Sequence, residues 1–291
     1  MSIAILIGVH DGLVLAADSA TSLLVTTPQG PSVANVYDNA NKIFNLYKGR
    51  PIGCVVFGAG SIGNASVGTI IKDLRAKLME EDSAREFDFD PDKYSMEQVA
   101  GIVAAYLGVE CAKIQNPLVL AGTNLGILLG GYSSKESLGE SWKVEIRGGK
   151  PIPPDRLRPN DQPGIHWGGQ TEILQRMVLG YSPGLFQILA ETTAPPRSTK
   201  EQMAAQLGPL LTARLQAQIV FAPMPIQDAI DLAEFLVHSS IMFSRFVPGA
   251  QVVGGPIEIA AVTKHEQFKW ISRKHYYDNH LNREPIHVIC D

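Results

Sequence analysis

Residues 1–22 of the chain read MSIAILIGVHDGLVLAADSATS. Apolar residues fill positions 3–9 and again 13–17, and the Asp11-Gly12 pair between them is a strong turn signal. This stretch therefore predicts a buried β-hairpin that begins almost at the N-terminus. A polar pair, Asp18-Ser19, closes the second strand, and on its own this pair is plausible as a turn at the strand end.

The rest of the chain alternates short strands with helices. Further strands are predicted at 42–47, 52–57, 125–132, 142–147, 257–262 and 267–271. Helices are predicted at 61–79, 95–113, from WGGQ to about 189, 199–221 and 225–247. We interpret residues 20–41 as a loop or a short extra hairpin, and residues 148–164, which contain five prolines, as a surface connection.

The order of these elements decides the fold class. The strands come as hairpins and do not alternate with helices, which favours an α+β fold with stacked antiparallel sheets covered by helices over a doubly wound parallel sheet. We expect one domain over residues 2–272, with a helical insertion around 192–247. Residues 273–291 are expected to form a C-terminal tail.

Composition excludes several classes of protein. The 291 residues are 45% hydrophobic with a net charge of -4, which does not fit a basic nucleic-acid surface. No apolar run approaches the roughly 20 residues that span a bilayer, and no basic segment marks a secretory signal. Three distant cysteines indicate a reducing cytoplasm and neither a disulfide framework nor a zinc site. The His275–His280 cluster could ligate a metal, but a hydrated tail is the favoured interpretation, and no metal site is predicted.

A glycine-rich segment offers a competing hypothesis. Residues 58–63, GAGSIG, match the GxGxxG pattern of dinucleotide-binding proteins, after a strand and before a helix. After the helix, however, the chain runs into the polar EEDSAREFDFDPD and not into a second buried strand ending in an acid. The alternatives are a tight strand-to-helix turn, or a backbone N–H directed at a developing oxyanion.

Five segments taken together resemble a known family. They are GVHDGLVLAADSATS, NKIF, FGAGSIGNAS, GILLGGYSS and WGGQ. Their order and spacing resemble those of the β-type subunits of the proteasome, within the N-terminal-nucleophile (Ntn) hydrolases. The resemblance covers residues 2 to about 190 and resumes over 254–271. It implies a four-layer αββα sandwich, in which two stacked antiparallel sheets are flanked by helices.

The resemblance also assigns catalytic residues. It places Ser2 at the nucleophile, where the family usually has threonine, once methionine aminopeptidase has removed Met1. It places Asp18 and Lys42 at the acidic and basic partners, and Gly60 at the glycine whose N–H stabilises the oxyanion. A free α-amine has a pKa near 8, so an N-terminal hydroxyl residue carries its own base.

The same resemblance assigns a substrate pocket and a function. The pocket beside the nucleophile is expected to be lined by uncharged residues, namely Thr21, Ala40, Gly58, Ile62 and Ser66. Such a pocket predicts preference for leucine, phenylalanine or tyrosine over arginine or glutamate before the cut bond. The implied protein is a peptidase without a cofactor, acting on peptides or unfolded protein in a homo-oligomeric ring or helical assembly. Whether it works with an unfoldase is left open.

Two departures from the family keep an alternative open. The family usually has serine near Gly168, and an Asp–Ser pair ahead of the last glycine pair; here the second region reads PGAQVVGG, residues 248–255, without an acid. These groups support the nucleophile and its amine. The alternative is therefore a catalytically inactive scaffold or assembly subunit with the same fold.

Overall fold

The computed structural model describes residues 2–27, 30–80, 86–159, 162–192 and 199–275. Outside this range lie Met1, residues 28–29, residues 81–85 of the polar EEDSAREFDFDPD segment, residues 160–161, residues 193–198 and the tail from 276 onwards. The described strands are β1 (Ile3–Gly8), β2 (Leu13–Ala17), β3 (Thr21–Thr27), β4 (Gly30–Tyr37), β5 (Ile43–Asn45), β6 (Ile52–Gly58), β7 (Ser61–Ile62), β8 (Ala65–Ser66), β9 (Leu125–Gly131), β10 (Glu140–Arg147), β11 (Lys150–Arg156), β12 (Gly164–Gly169), β13 (Glu258–Thr263) and β14 (Gln267–Ser272). The described helices are α1 (Val67–Met79), α2 (Met96–Ala112), α3 (Pro117–Gly122), α4 (Glu172–Leu174), α5 (Gly184–Thr192), α6 (Lys200–Leu215) and α7 (Ile226–Phe246), and Gln175–Leu179 form a π-helical turn after α4.

The N-terminal hairpin lies inside the first of two five-stranded antiparallel sheets. The order of this sheet is β12-β1-β2-β13-β14. Every residue of β1 and β2 is buried. Both faces of the hairpin are therefore covered, which explains why its sequence is continuously apolar and does not alternate with polar residues.

The second sheet has the order β11-β10-β9-β6-β5 and is also antiparallel. Its edge strand β11 corrects the interpretation of residues 148–164 as a surface connection. Pro151, Pro153 and Pro154 lie in this strand. Proline lacks a backbone N–H and is tolerated where one side of the strand has no partner, as at the edge of a sheet.

Three buried clusters show what each sheet packs against. Side chains of both sheets share one cluster, to which β1 and β2 contribute Leu6 and Leu15 and the second sheet contributes Val55 and Leu128. A second cluster joins the other face of β1 and β2 to α7. The third joins the second sheet to α1 and α2. The hydrophobic residues of β1 thus alternate between α7 and the facing sheet, with the period of two that a strand requires.

The N-terminus of α1 differs from the prediction. The helix begins at Val67 and not at residue 61, because Ser61–Ile62 and Ala65–Ser66 pair as a two-residue hairpin. The Ser66 hydroxyl accepts a hydrogen bond from the Thr69 N–H at 3.1 Å and caps the helix. This later start gives the segment between β6 and α1 a short hairpin of its own beside Ser2.

Other segments also differ from the predicted pattern. The strands β3 and β4, Thr21–Thr27 and Gly30–Tyr37, pair antiparallel, which agrees with the hairpin that was one of the two interpretations of the polar stretch 20–41. Residues 164–169 form the edge strand β12, which the glycines of this segment concealed. The helix predicted up to 189 is interrupted after the π-helical turn, where Gly180 has φ +80. The helix predicted at 199–221 ends at Leu215.

The two helices of the predicted insertion pack differently. The buried face of α7 covers the first sheet, so this helix is part of the main core. In contrast, α6 packs with α5 around the smaller cluster of Phe186, Ala190 and Met203. None of the described helices is both long and apolar enough to cross a bilayer.

Candidate active site

Ser2 is buried at the start of β1, with 3% of its surface exposed. Its carbonyl oxygen accepts a hydrogen bond from the Gln170 N–H at 2.8 Å. Gly169 has φ +93, and a Cβ built on it would lie 1.8 Å from the Ser2 carbonyl oxygen. The WGGQ segment therefore holds Ser2, the residue just before β1, by a close approach that only glycine permits.

Two glycines at the end of β6 lie beside Ser2. The Gly58 N–H donates a long hydrogen bond of 3.4 Å to the Ser2 Oγ, and Gly58 has φ +95. Gly60 lines the same cavity as Ser2, and none of the described residues accepts a hydrogen bond from its N–H. A Cβ at Gly60 would lie 2.6 Å from the Thr21 Oγ1. The segment thus places the Gly58 N–H at the Ser2 Oγ and Gly60 on the same cavity, without side-chain bulk.

Asp18 is completely buried, and its carboxylate accepts hydrogen bonds from four donors in the described part of the chain. Oδ1 accepts from the Ile3 N–H at 2.9 Å and from Lys42 Nζ at 2.5 Å. Oδ2 accepts from the Ala20 N–H at 3.1 Å and the Gly254 N–H at 3.0 Å. This arrangement satisfies the roughly four acceptor positions of an ionised carboxylate. It ties the start of β1, the end of β2 and the segment that leads into β13 to one group.

Lys42 forms a buried ion pair with Asp18. Burial lowers the pKa of the Lys42 ammonium below its usual value, and the Asp18 carboxylate opposes this shift. Lys42 and Ser2 line one cavity, but among the described residues Nζ donates to Asp18 and not to the Ser2 Oγ. Catalytic hydrogen bonds are often long without substrate and tighten in the complex.

A second ion pair, which was not predicted from the sequence, lies near the Asp18–Lys42 pair. Lys274 Nζ is 2.8 Å from the buried Glu258 carboxylate. The same ammonium donates to the Ser19 Oγ and to the Ala40 carbonyl oxygen, both at 2.9 Å. Electrostatic coupling joins the two pairs, because Lys274 lowers the pKa of Lys42 and Glu258 raises it. Four alternating charges therefore support the site.

Ser2 opens into a cavity of about 410 Å³. Of the residues assigned to the site from sequence, those lining it are Ser2, Thr21, Ala40, Lys42, Gly58, Gly60 and Ser66. Ile62 does not line this cavity; its side chain is buried in the cluster beneath α1. The expectation of an uncharged pocket is also corrected, because Lys72 of α1 lines the cavity together with Tyr37 and Asn39.

The structure gives a physical reason for one departure from the family. A Cβ on Gly168 would lie 2.4 Å from the ring of Phe57. The aromatic ring thus occupies the space in which a serine side chain at this position would stand. In the other region that departs from the family pattern, residues 248–255, the Gly254 N–H donates to the Asp18 carboxylate. A Cβ on Gly255 would lie 2.4 Å from the Asp38 carbonyl oxygen.

The GxGxxG segment does not belong to a dinucleotide-binding unit. The strand that precedes it, β6, is antiparallel to both of its neighbours, β5 and β9. A dinucleotide-binding unit instead needs a parallel strand, reached through a right-handed crossover. The glycines serve the turn between β6 and α1 at which Ser2 lies.

No arrangement of three or more histidine, cysteine or acidic residues suited to a metal occurs in the described part of the chain. Of the His275–His280 cluster noted in the sequence, only His275 lies in the described part. Cys54 and Cys111 are buried free thiols. No family model matches the chain. A search of curated proteins finds no match either.

The site residues missed from sequence differ in the signal they carry. Glu258 was detectable as an acid at the start of a mostly apolar strand, EIAAVT. Lys274 follows the last strand in a polar segment, where a lysine gives no signal of burial. Lys72 looks like any exposed lysine on a helix, and its position on the cavity depends on how α1 packs.

Proposed function

We propose that the chain is an N-terminal-nucleophile amide hydrolase, a proteasome-like peptidase whose nucleophile is the Ser2 hydroxyl after removal of Met1. The observation that carries the proposal is the convergence at one cavity of Ser2, the Gly58 N–H and the buried Asp18–Lys42 pair. A buried ion pair is costly in desolvation and is weak evidence for stability alone. Its position beside a serine at the N-terminus supports a chemical role.

The proposed reaction has two steps. The α-amine of Ser2 takes the hydroxyl proton as Oγ attacks the substrate carbonyl carbon, and the proton then passes to the leaving amine as the amide C–N bond breaks. The product is an ester on Ser2. In the second step the amine takes a proton from water, which attacks the ester and restores the hydroxyl. In both steps Lys42 stabilises the negative charge near Oγ.

The Gly60 N–H, in the segment between β6 and α1, would supply the oxyanion site. Gly58 N–H already contacts the Ser2 Oγ, and the Gly60 N–H has no competing acceptor among the described residues. Removing one such donor costs about 3–4 kcal/mol of transition-state stabilisation in a well-studied protease. The Gly60 N–H therefore suits the oxyanion of a tetrahedral intermediate, whereas the Gly58 N–H contacts the attacking Ser2 Oγ.

The packing supports the finer assignment of fold. Two antiparallel sheets share a cluster of buried side chains, while α7 covers the first sheet and α1 and α2 cover the second. We propose that this is the four-layer αββα sandwich of the Ntn hydrolases. We also propose a cytoplasmic homo-oligomer, in a ring or helical assembly, that acts on peptides or unfolded protein.

Hydrolysis of a panel of fluorogenic peptides tests this function. We expect Ser2→Ala to abolish hydrolysis while the protein stays folded, because alanine keeps the α-amine and removes only the hydroxyl. Ser2→Thr is the matched variant, since threonine keeps both groups and should retain activity. Full activity of Ser2→Ala would overturn the proposal.

A second candidate is an inactive scaffold of the same fold. It is favoured by the Phe57 ring at Gly168 and by the absence of a hydrogen bond between Lys42 and the Ser2 Oγ in the described part of the chain. This candidate predicts that protein with a verified Ser2 terminus cleaves no member of the panel. It also predicts that Met1 is retained without consequence for assembly.

A further inference from the structure

A second cavity, of about 300 Å³, adjoins the one at Ser2 and is strongly basic. Four cationic side chains line it: Lys48, Lys72, Arg75 and Arg273. Lys72 and Arg75 are three residues apart and therefore share one face of α1. The Arg273 guanidinium lies 4.9 Å from the centre of the Trp270 ring, which also lines the cavity and fixes the position of this cation.

None of these four cations has an acidic partner within 4.0 Å in the described part of the chain. Elsewhere in this part lysines and arginines are commonly paired, as Lys77 is with Glu86 and Arg50 with Asp92. Glu258, the one acid among the described residues that lines the basic cavity, forms an ion pair with Lys274. The cavity therefore carries a net positive charge on a chain whose overall charge is -4.

The basic cavity shares two lining residues with the candidate active site. Lys72 and Asn41 line both cavities, so a group bound at Ser2 can extend past Lys72 toward the other cations. Asp73, the acidic neighbour of Lys72 on α1, lines neither cavity. Among the described residues Glu258 is the one acid that lines either cavity, and it is paired with Lys274.

We propose that the basic cavity binds a carboxylate of an acidic residue in the substrate of Ser2. The inference rests on the proposed function and specifies its substrate class. Arginine forms paired hydrogen bonds with carboxylates. Among the described residues the four cations have no acidic partner in the free protein, so a bound carboxylate supplies the electrostatic attraction that they lack. This carboxylate site replaces the sequence-based expectation that glutamate is disfavoured before the cut bond. The expectation that arginine is disfavoured there is kept.

A matched set of peptides tests the preference. Each peptide carries glutamate, glutamine or leucine at one of the three positions before the cut bond, and kcat/KM is measured at low and high salt. We expect glutamate to exceed glutamine by about tenfold at one position, which corresponds to about 1.4 kcal/mol. Lys72→Gln and Arg75→Gln should each reduce this ratio, and Lys150→Gln, a control at an exposed lysine that lines neither cavity, should not.

Two results of this assay would overturn the inference while leaving the proposed function intact. One is hydrolysis with equal kcat/KM for glutamate and glutamine at all three positions. The other is a preference that Lys150→Gln reduces as much as Lys72→Gln does, because the effect would then come from overall charge.

A binding measurement separates this inference from the hydrolysis itself. Rhodamine-labelled peptides with glutamate or glutamine are titrated into Ser2→Ala protein and followed by fluorescence anisotropy. Tighter binding of the glutamate peptide, lost in the Ser2→Ala/Lys72→Gln double variant, supports the site even where no peptide is cleaved. Equal binding overturns it. Thermal stabilisation by inorganic phosphate without any preference for the glutamate peptide also overturns it, because the cavity would then serve a free anion.

Discussion

At the scale of single residues, the Asp18–Lys42 pair is the most informative feature. We expect Lys42→Met to lose peptidase activity nearly as completely as Ser2→Ala, because residues that act as one unit give strongly non-additive losses. We also expect a lower free energy of unfolding, by about 3–5 kcal/mol, since the Asp18 carboxylate would stay buried without its cation.

Rates on the peptide panel and urea unfolding measure these two effects separately. Lys42→Met/Asp18→Asn is the control, because it removes both charges and should regain stability without regaining activity. Wild-type turnover in folded Lys42→Met would show that this lysine has only a structural role.

The Lys274–Glu258 pair gives a second prediction at this scale. Lys274→Met should leave Glu258 buried and unpaired, and it should raise the pKa of Lys42, because Lys274 lowers that pKa in the folded protein. The pH dependence of kcat should therefore shift toward higher pH, an effect that a merely structural role would not produce. Lys274→Met/Glu258→Gln should recover most of the stability. An unchanged pH profile of kcat would show that the Lys274–Glu258 pair has only a structural role.

The residue scale also shows what sequence can predict. Ser2, Asp18 and Lys42 were assigned from short segments whose order resembles a family, and the structure brings them to one place. Lys274 and Phe57 were not assigned, because their roles come from contacts with residues far away in sequence. The Lys274 ammonium, for example, contacts the Ser19 hydroxyl across 255 positions.

At the scale of elements, the edge strand β12 determines where Ser2 lies. Gly169→Ala should destabilise the protein by more than about 2 kcal/mol and displace Ser2, because the new Cβ would collide with the Ser2 carbonyl oxygen at a positive φ. Gly101→Ala is the matched control, since this exposed helical glycine has no atom within 4 Å of the position that the new methyl group would take. There we expect stabilisation of up to about 1 kcal/mol. Thermal unfolding of both variants measures the two changes in stability. Equal changes for Gly169→Ala and Gly101→Ala would contradict the role given to Gly169.

The strand β12 also contains His166, whose titration affects the stability of the protein. Burial, with the nearby Arg158 charge, lowers the pKa of His166 from 6.5 to about 4, and Asp155 opposes the shift weakly. Between these values the unfolded chain binds more protons than the folded one, so stability falls as the pH falls from 6.5 to about 4.

Urea unfolding of wild type and His166→Gln over this pH range measures the contribution. The wild type should lose up to about 3 kcal/mol more than the variant, at 1.36 kcal/mol per pKa unit. The comparison with the variant removes the contribution of carboxylates that titrate in the same range. Parallel stability curves for the two proteins would contradict the assignment.

The elements predicted well are those whose apolar pattern is strong. The strands β1, β2 and β6 and the helix α2 follow directly from their buried residues. The strands β11 and β12 were missed because prolines and glycines, which usually mark turns, are tolerated at sheet edges. The start of α1 was misplaced because the pairing of β7 with β8 depends on hydrogen bonds that apolar spacing does not encode.

At the scale of the whole molecule, α7 carries exposed aromatic residues although its other face is buried. Phe235 is 53% exposed and Phe246 is 75% exposed. We expect a homo-oligomer, because closed assemblies of identical chains are the common way to cover such surfaces. Light scattering at micromolar concentration should give a mass several times 31.5 kDa. Phe235→Glu/Phe246→Glu should lower that mass if α7 forms the contact, and a wild-type mass of 31.5 kDa would contradict the expectation.

The central claim is that Ser2 becomes the N-terminal residue and is acylated during hydrolysis. Its most direct test is tandem mass spectrometry of the N-terminal peptide after the native protein has reacted briefly with a peptide phenyl ester and been quenched in acid. The account predicts a chain that lacks Met1 and carries one acyl group on Ser2, with none on urea-denatured protein treated in the same way. Met1 present on every molecule, or an acyl group found on another residue, would contradict it.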